Sequence, residues 1–440
     1  MKPVRLITAT LAAAALSIPL AAPASADPAP DHRGHNHPGH AKPGTLRWAA
    51  PDDLVIGTAV AGGGHHLEQD YPDPFTSDKE YRKLLARHFS SVSAENQMKW
   101  EYIHPARGEY DFGMADAIVE FAERHGQDVR GHTLFWHSQN PAWLEEGDFT
   151  DEELREILHD HITTVVGRYE GRIDQWDVAN EIFDSSGELR TEENIWIREL
   201  GPGIIADAFR WAHEADPSAE LYFNDYGVED VNAKSDAYYE LIRELLADDV
   251  PVHGFSAQVH LSTQYGFPGS LEENLQRFDD LGLGTALTEV DVRMRLPESG
   301  EPTPEQLEQQ ADYYEQALSA CLGVEGCGSF TIWGFTDKYS WVPVFFEGEG
   351  SATIMDGQFT PKPSYFALKS TLLEAGDDHG WGPPPWAGRV GPPRPPPRGG
   401  ARRPRGGRPR PRPGREYRPS RSGRLRRRCG RCSAPGPGPR

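Results

Sequence analysis

Eight short β-branched or apolar runs that alternate with helical patterns between about residues 46 and 375, each closing on polar side chains, predict a (β/α)₈ barrel. The length of 440 residues accommodates one such domain of roughly 300 residues together with appendages. The predicted strands are Val55–Val60, Ser91–Glu95, Val129–Phe135, Ile173–Val178, Leu221–Asn224, Gly254–Val259, Thr285–Val290 and Phe330–Phe335. Between them the helical pattern falls on Tyr81–His88, Ala115–His125, Glu152–Tyr169, Ile204–Ala215, Ser235–Ala247, Leu271–Leu281 and Pro304–Leu322, and a last helix is expected near Ser364–Leu373. Local chemistry supports three of the helix starts. Thr150 with Glu153 and Ser270 with Glu273 have capping-box spacing, and Thr303 precedes a proline suited to the first helical position.

Appendages flank this body. Residues 1–26 carry Lys2 and Arg5, an apolar stretch broken by Pro19 and the small-residue sequence Ala24-Ser25-Ala26, which predicts a signal peptide cleaved before Asp27. Residues 27–45 form a Pro/Gly/His-rich leader whose His32, His35, His37 and His40 read as a solvated linker rather than a metal site. Residues 376–440 turn to Pro, Gly and Arg with few aliphatics, a composition that cannot build a core, so a disordered tail is expected. No stretch after the signal is apolar enough to span a bilayer.

The net charge of −22 sums an acidic body and a basic tail. A body of that sign repels polyanions, so nucleic acid is not expected as a partner of the folded part, whereas a neutral polysaccharide meets no such barrier. Cys321 and Cys327 lie close together in a chain bound for an oxidising compartment and are expected to form a local disulfide. Cys429 and Cys432 make a lone C-x-x-C in the tail, half of a zinc site at most.

Polar residues gather where the predicted strands end: Glu95 and Asn96; His132, Trp136, His137 and Gln139; Asn180 and Glu181; Asp225 and Tyr226; Gln258 and His260; Glu289 and Asp291; Trp333. In a barrel these ends share one face, so residues remote in sequence converge on a single cleft. Any one of them reads equally well as a helix cap or a loop anchor; the set as a whole does not. Glu181 and Glu289 stand at the ends of the fourth and seventh strands, which lie across the barrel mouth from each other. Two carboxylates so placed suit cleavage of a glycosidic bond, one donating a proton to the leaving oxygen and the other meeting the positively charged carbon. That division of labour calls for environments that push their pKa values apart. Glu289 and Asp291 are two apart on a strand and point to the same side, where His260 from the neighbouring strand can bridge them, although a satisfied core histidine fits the spacing as well. No metal-ligand motif appears and the chemistry needs none, so neither metal nor other cofactor is expected.

With these residues in view, the chain closely resembles glycoside hydrolase family 10 endo-xylanases. The resemblance is carried by GTAVAGG (57–63), SAENQMKW (93–100), GHTLFWHSQNPAW (131–143), WDVANE (176–181), NDY (224–226), QVHL (258–261), TEVDVRM (288–294) and WGFTDKYSW (333–341). It implies that Glu181 is the acid/base, Glu289 the nucleophile, and His260 and Asp291 the partners that modulate it. Asn180 would hold the 2-hydroxyl of the sugar being cleaved, with His132, Trp136, Trp333 and Trp341 as walls. Glu95, Asn96, Lys99 and Gln139 would grip the next sugar, and Tyr226 and Gln258 would line the cleft near the bond. The resemblance also implies retention of configuration and a groove that takes an extended chain of xylan or xylo-oligosaccharide. A monomer is expected, with neither nucleic acid nor membrane as a partner. A Cys321–Cys327 disulfide matches the family too. Ala179 stands where Val is usual and Ala94 where Pro is frequent, with no functional group lost. A cellulase or mixed glucanase on the same barrel and a non-catalytic xylan-binding protein are the alternatives. The tail resembles nothing in the family. Its mismatch with the acidic body suggests a GC-rich gene read out of frame, in place of a linker or carbohydrate-binding module. An intact frame on resequencing would remove that hypothesis.

Overall fold

Strands covered on both faces must be apolar almost throughout, and closing them into a ring disposes of their open edges. The computed structural model describes residues 42–378. The predicted signal segment, most of the leader and the tail with Cys429 and Cys432 lie outside the described residues. The barrel strands are β1 Val55–Val60, β2 Ser91–Ala94, β3 Asp128–Phe135, β4 Gln175–Asn180, β5 Glu220–Asp225, β6 Gly254–Ala257, β7 Gly284–Arg295 and β8 Cys327–Ile332. Each pairs in parallel with the next, and β8 pairs with both β7 and β1, so the sheet closes. Eight parallel strands with helices between them make the predicted (β/α)₈ barrel.

The outer ring contains α1 Lys79–His88, α2 Gly113–His125, α3 Asp151–Arg168, α4 Ile204–Ala215, α5 Ala233–Ala247, α6 Leu271–Asp279, α7 Pro304–Leu322 and α8 Pro363–Asp378. Helix α4 shows how they dock. It buries Ile204, Ile205, Ala208, Phe209 and Ala212, a single stripe at helical spacing, and sets Phe209 4.6 Å from Phe223 of β5. Close packing of β3 and β4 on their helix-facing side needs Gly131, where a Cβ would fall 2.2 Å from the Trp176 ring. Cys321 at the end of α7 is bonded to Cys327 at the start of β8, as expected.

Two of the three helix starts hold as predicted. Thr150 and Glu153 form a reciprocal capping box, and Thr303 caps α7 ahead of Pro304 while adding a second box with Gln306. Ser270 does not cap α6. Its hydroxyl donates to Asp230 Oδ1 at 2.8 Å and accepts from Val231 N at 3.0 Å, so a loop contact from the preceding β/α unit takes the group that the capping box required.

Strand boundaries differ where the backbone bends. The fourth strand begins at Gln175 rather than Ile173 and reaches Asn180, so Glu181 is the first residue beyond it. The eighth lies three residues upstream of its predicted place because the chain turns at Gly334, φ 80°. The sixth stops at Ala257 and resumes as a short strand, His260–Ser262, after a turn through Val259 at φ 64°. Strand β7 runs on to Arg295, past the barrel rim, so Glu289 sits within it instead of at its end. The extension pairs with His260–Ser262 and with Glu349–Gly350.

Candidate active site

The C-terminal ends of the strands surround a cleft of about 660 Å³. Of the polar residues predicted to converge there, all line it except His137, Asn180, Asp225 and Asp291. Asn180 follows from β4 and is wholly buried; Asp291 continues β7 two residues past Glu289.

At one wall, Glu289 is enclosed by donors. Asn224 Nδ2 donates to Glu289 Oε1 at 2.8 Å, and His260 Nε2 lies 3.2 Å from Oε2. The other ring nitrogen of His260 is 3.0 Å from Asp291 Oδ2, which also accepts from Trp341 Nε1 at 2.8 Å. The bridging histidine, one of two readings of its spacing, is therefore what the fold builds. Burial disfavours charge on His260, but the two carboxylates outweigh it and raise its pKa to about 10. Burial likewise works against ionised Glu289, yet the His260 and Asn224 hydrogen bonds hold its carboxyl below the usual range. The expectation of an ionised carboxylate is met at Glu289.

Across the cleft, Glu181 Oε1 accepts from Gln258 Nε2 at 3.0 Å and Oε2 from Trp136 Nε1 at 2.9 Å, while His137 Nδ1 stands 3.9 Å from Oε2. Asn180 connects the two walls: its amide is 3.0 Å from Asn224 Nδ2 and 3.1 Å from Trp136 Nε1. His132 is aimed by the buried Asp177, whose Oδ2 is 2.9 Å from Nδ1, with Arg130 Nε donating to the same carboxylate at 3.0 Å. The His132 ring meets Trp333 edge-on at 5.5 Å. A third cluster comes from the β2 and β3 loops. Lys99 Nζ donates to Gln139 Oε1 at 2.8 Å and to Asn96 Oδ1 at 3.2 Å, and lies 4.9 Å from the Trp136 ring. Burial lowers the Lys99 pKa, with Glu289 and Glu95 pulling the other way. Gln139 holds φ 51°, and Tyr226, more than one third exposed, marks the open side near Glu181.

Four residues at this site carried no role in the sequence reading. Asn224 lay within a recognised motif, but only the fold shows it reaching Glu289. His137 was noted at a strand end without a partner. His65 and His66 follow β1, the one strand end not surveyed for polar residues. His66 joins Tyr71 Oη (2.9 Å) to Glu95 Oε2 (2.9 Å), which orients Glu95. Ligand atoms of His65, His66 and Glu95 lie within 4.8 Å of one another, close enough for a metal ion, and one of them, Glu95 Oε2, is already hydrogen-bonded to His66.

Such an arrangement can hold one carboxylate charged and present a second one to the same cleft. Comparison with known proteins decides the lineage: the family model for glycosyl hydrolase family 10 matches residues 49–371. The chain belongs to glycosyl hydrolase family 10. Within this family it is 43% identical over 296 residues to endo-1,4-beta-xylanase B of Thermotoga neapolitana, covering 67% of this chain and 84% of that one. The endo-1,4-beta-xylanase of Agaricus bisporus is 38% identical over 309 residues, with 70% and 91% covered. Among solved structures, xylanase 10B from Thermotoga petrophila in complex with xylobiose superposes with a TM-score of 0.70 at 41% identity, covering 76% of this chain and 99% of that one. This family 10 barrel thus matches its relatives over nearly their whole length.

His260 supplies a pH signature. Because it holds its proton more tightly folded than unfolded, its contribution to stability is complete below pH 6.5 and is lost as pH rises through about 10. Glu289 acts in the opposite sense, contributing above its ordinary value of 4.5 and losing that contribution in acid. His260→Asn is expected to flatten the alkaline arm of a thermal-unfolding profile between about pH 7 and 10, and to lower kcat/KM on a chromogenic substrate about 10²-fold. An alkaline arm as steep as the wild type's would contradict the pairing.

Proposed function

We propose that this protein is a secreted, monomeric endo-1,4-β-xylanase that cleaves internal xylosidic bonds of xylan and xylo-oligosaccharides with retention of configuration. The observation that carries the reading is the short polar chain Glu181, Gln258, Asn180, Asn224, Glu289, in which each step spans 3.4 Å or less. Both carboxylates line one cleft, and a double displacement is the mechanism that uses such a pair, at a separation of about 5 to 5.5 Å. Glu289 attacks the anomeric carbon as Glu181 gives its proton to the departing oxygen, leaving a glycosyl ester. Water then adds at the same carbon, passes its proton to Glu181 and releases Glu289. The names of the relatives and the xylobiose bound by the Thermotoga petrophila enzyme support xylan as the substrate. Export is supported by the Lys2 to Ala26 segment, and no helix among the described residues is long and apolar enough to cross a membrane. The folded catalytic domain occupies 46–375 on this reading.

Xylose differs from glucose in lacking the C6 hydroxymethyl, a group that the bulky Lys99, Trp333 and Trp341 lining the cleft with Glu289 are expected to disfavour sterically. Aryl β-xylobioside is therefore expected to be turned over at least about tenfold better, in kcat/KM, than aryl β-cellobioside. Equal rates on the two would favour the mixed glucanase instead.

A further inference from the structure

Asp225 and Lys234 form an ion pair that no step above uses, with 0% and 2% of their surfaces exposed. Lys234 Nζ donates to Asp225 Oδ1 at 2.7 Å and to Tyr226 O at 2.8 Å, and lies 4.0 Å from the Tyr226 ring. Burying two charges is costly, and apolar residues of the same volume would serve a core as well or better. The question is what the pair accomplishes there. Its other contacts lead to Glu181. Tyr238 Oη donates to Asp225 Oδ2 at 2.6 Å and accepts from Ile182 N at 3.1 Å, the amide directly after Glu181.

That amide matters because Glu181 is held at φ 54°, a left-handed conformation that a non-glycine residue adopts only when its surroundings impose it. Two bonds do so: Glu181 N donates to Asn224 O at 2.9 Å on one side, and Ile182 N to Tyr238 on the other. The second bond depends on which way the Tyr238 hydroxyl proton points. An ionised Asp225 accepts only, so it takes that proton and leaves a Tyr238 lone pair facing Ile182 N. Burial pushes the Asp225 carboxyl up to about 7, opposed by Lys234 and reinforced by Glu181, so the cation alongside is what favours the ionised form. The pair also shapes the other side of the cleft entrance, since Asp225 Oδ1 accepts from Tyr226 N at 2.7 Å.

We propose that Lys234, Asp225 and Tyr238 form a relay of positioning residues that fixes the turn through Glu181 and so aims its carboxyl at the leaving-group oxygen. None of the three lines the cleft; they act through the Ile182 amide. The inference rests on reading Glu181 as the acid/base, and the experiment separates the two.

The test uses the full chain and a series of aryl β-xylobiosides whose leaving groups run from dinitrophenol to phenol. Protonation by Glu181 matters little for the first and most for the last, so misaiming the acid steepens the dependence of kcat/KM on leaving-group pKa. Tyr238→Phe, which removes one oxygen, is expected to lose about tenfold more on the phenyl than on the dinitrophenyl substrate, a fraction of what full loss of an acid costs. The double variant Asp225→Asn, Lys234→Met removes both charges together, so it leaves no unpaired ion to unfold the core; it is expected to steepen the slope in the same way. A loss of equal size on every leaving group, or no loss, in these two proteins would overturn the relay. If Glu181→Gln itself left the slope unchanged, the assignment of Glu181 would fall and the relay with it.

Discussion

Replacing Glu289 by Ala is expected to lower reducing-sugar release from xylan by on the order of 10⁵-fold, because in the proposed mechanism the covalent intermediate forms on this carboxylate. The loss should be in kcat rather than in binding. A change this large at a buried position invites the objection that the fold has failed, since the variant leaves His260, raised to about 10 by its carboxylates, with only Asp291. Two measurements answer it. Thermal unfolding should still be cooperative, and binding of xylo-oligosaccharide by calorimetry should persist, since Asn96, Lys99 and Gln139 hydrogen-bond one another, and His66 holds Glu95, without using Glu289. Residual activity within about tenfold of wild type would show that another group is the nucleophile and that the charge on Glu289 serves a different purpose.

The second large effect belongs to Glu181. Glu181→Gln keeps the side chain's shape and one of the two hydrogen bonds donated by Trp136 and Gln258, its amide nitrogen facing the other donor, yet it has no acidic proton to give. Hydrolysis of xylan should fall about 10³-fold, the usual scale for losing a general acid. Attack on dinitrophenyl β-xylobioside, whose leaving group departs unaided, should fall far less in kcat/KM, while turnover stalls at the glycosyl ester because water has lost its base. A burst of dinitrophenol followed by a slow steady state is the observable. Equal losses on both substrates would remove Glu181 from the acid role.

What the amino-acid sequence determined by itself was periodic or contiguous. Strand and helix succession, the Thr150 and Thr303 caps, and the clustering of polar residues after strands are local patterns, and local patterns constrain local structure strongly. Pairing Glu181 with Glu289 was legible for the same reason, since the order of strands around a barrel is their order along the chain. Bends and partners across the barrel were not legible. The left-handed turns at Glu181 and Val259 and the run of β7 past the rim arise because loops from distant units supply or withhold hydrogen bonds, as Asp230 does in taking Ser270 from its helix. His260 is the plainest case. Its spacing from Glu289 and Asp291 fitted a core histidine equally well, and only packing against β7 brought both ring nitrogens within 3.2 Å of carboxylates. Asn224 on Glu289, His66 on Glu95, and Lys234 acting on Glu181 through Asp225 and Tyr238 likewise appear only in three dimensions. A side chain's type follows from the gene, whereas the atom it reaches depends on which distant backbone the barrel sets beside it.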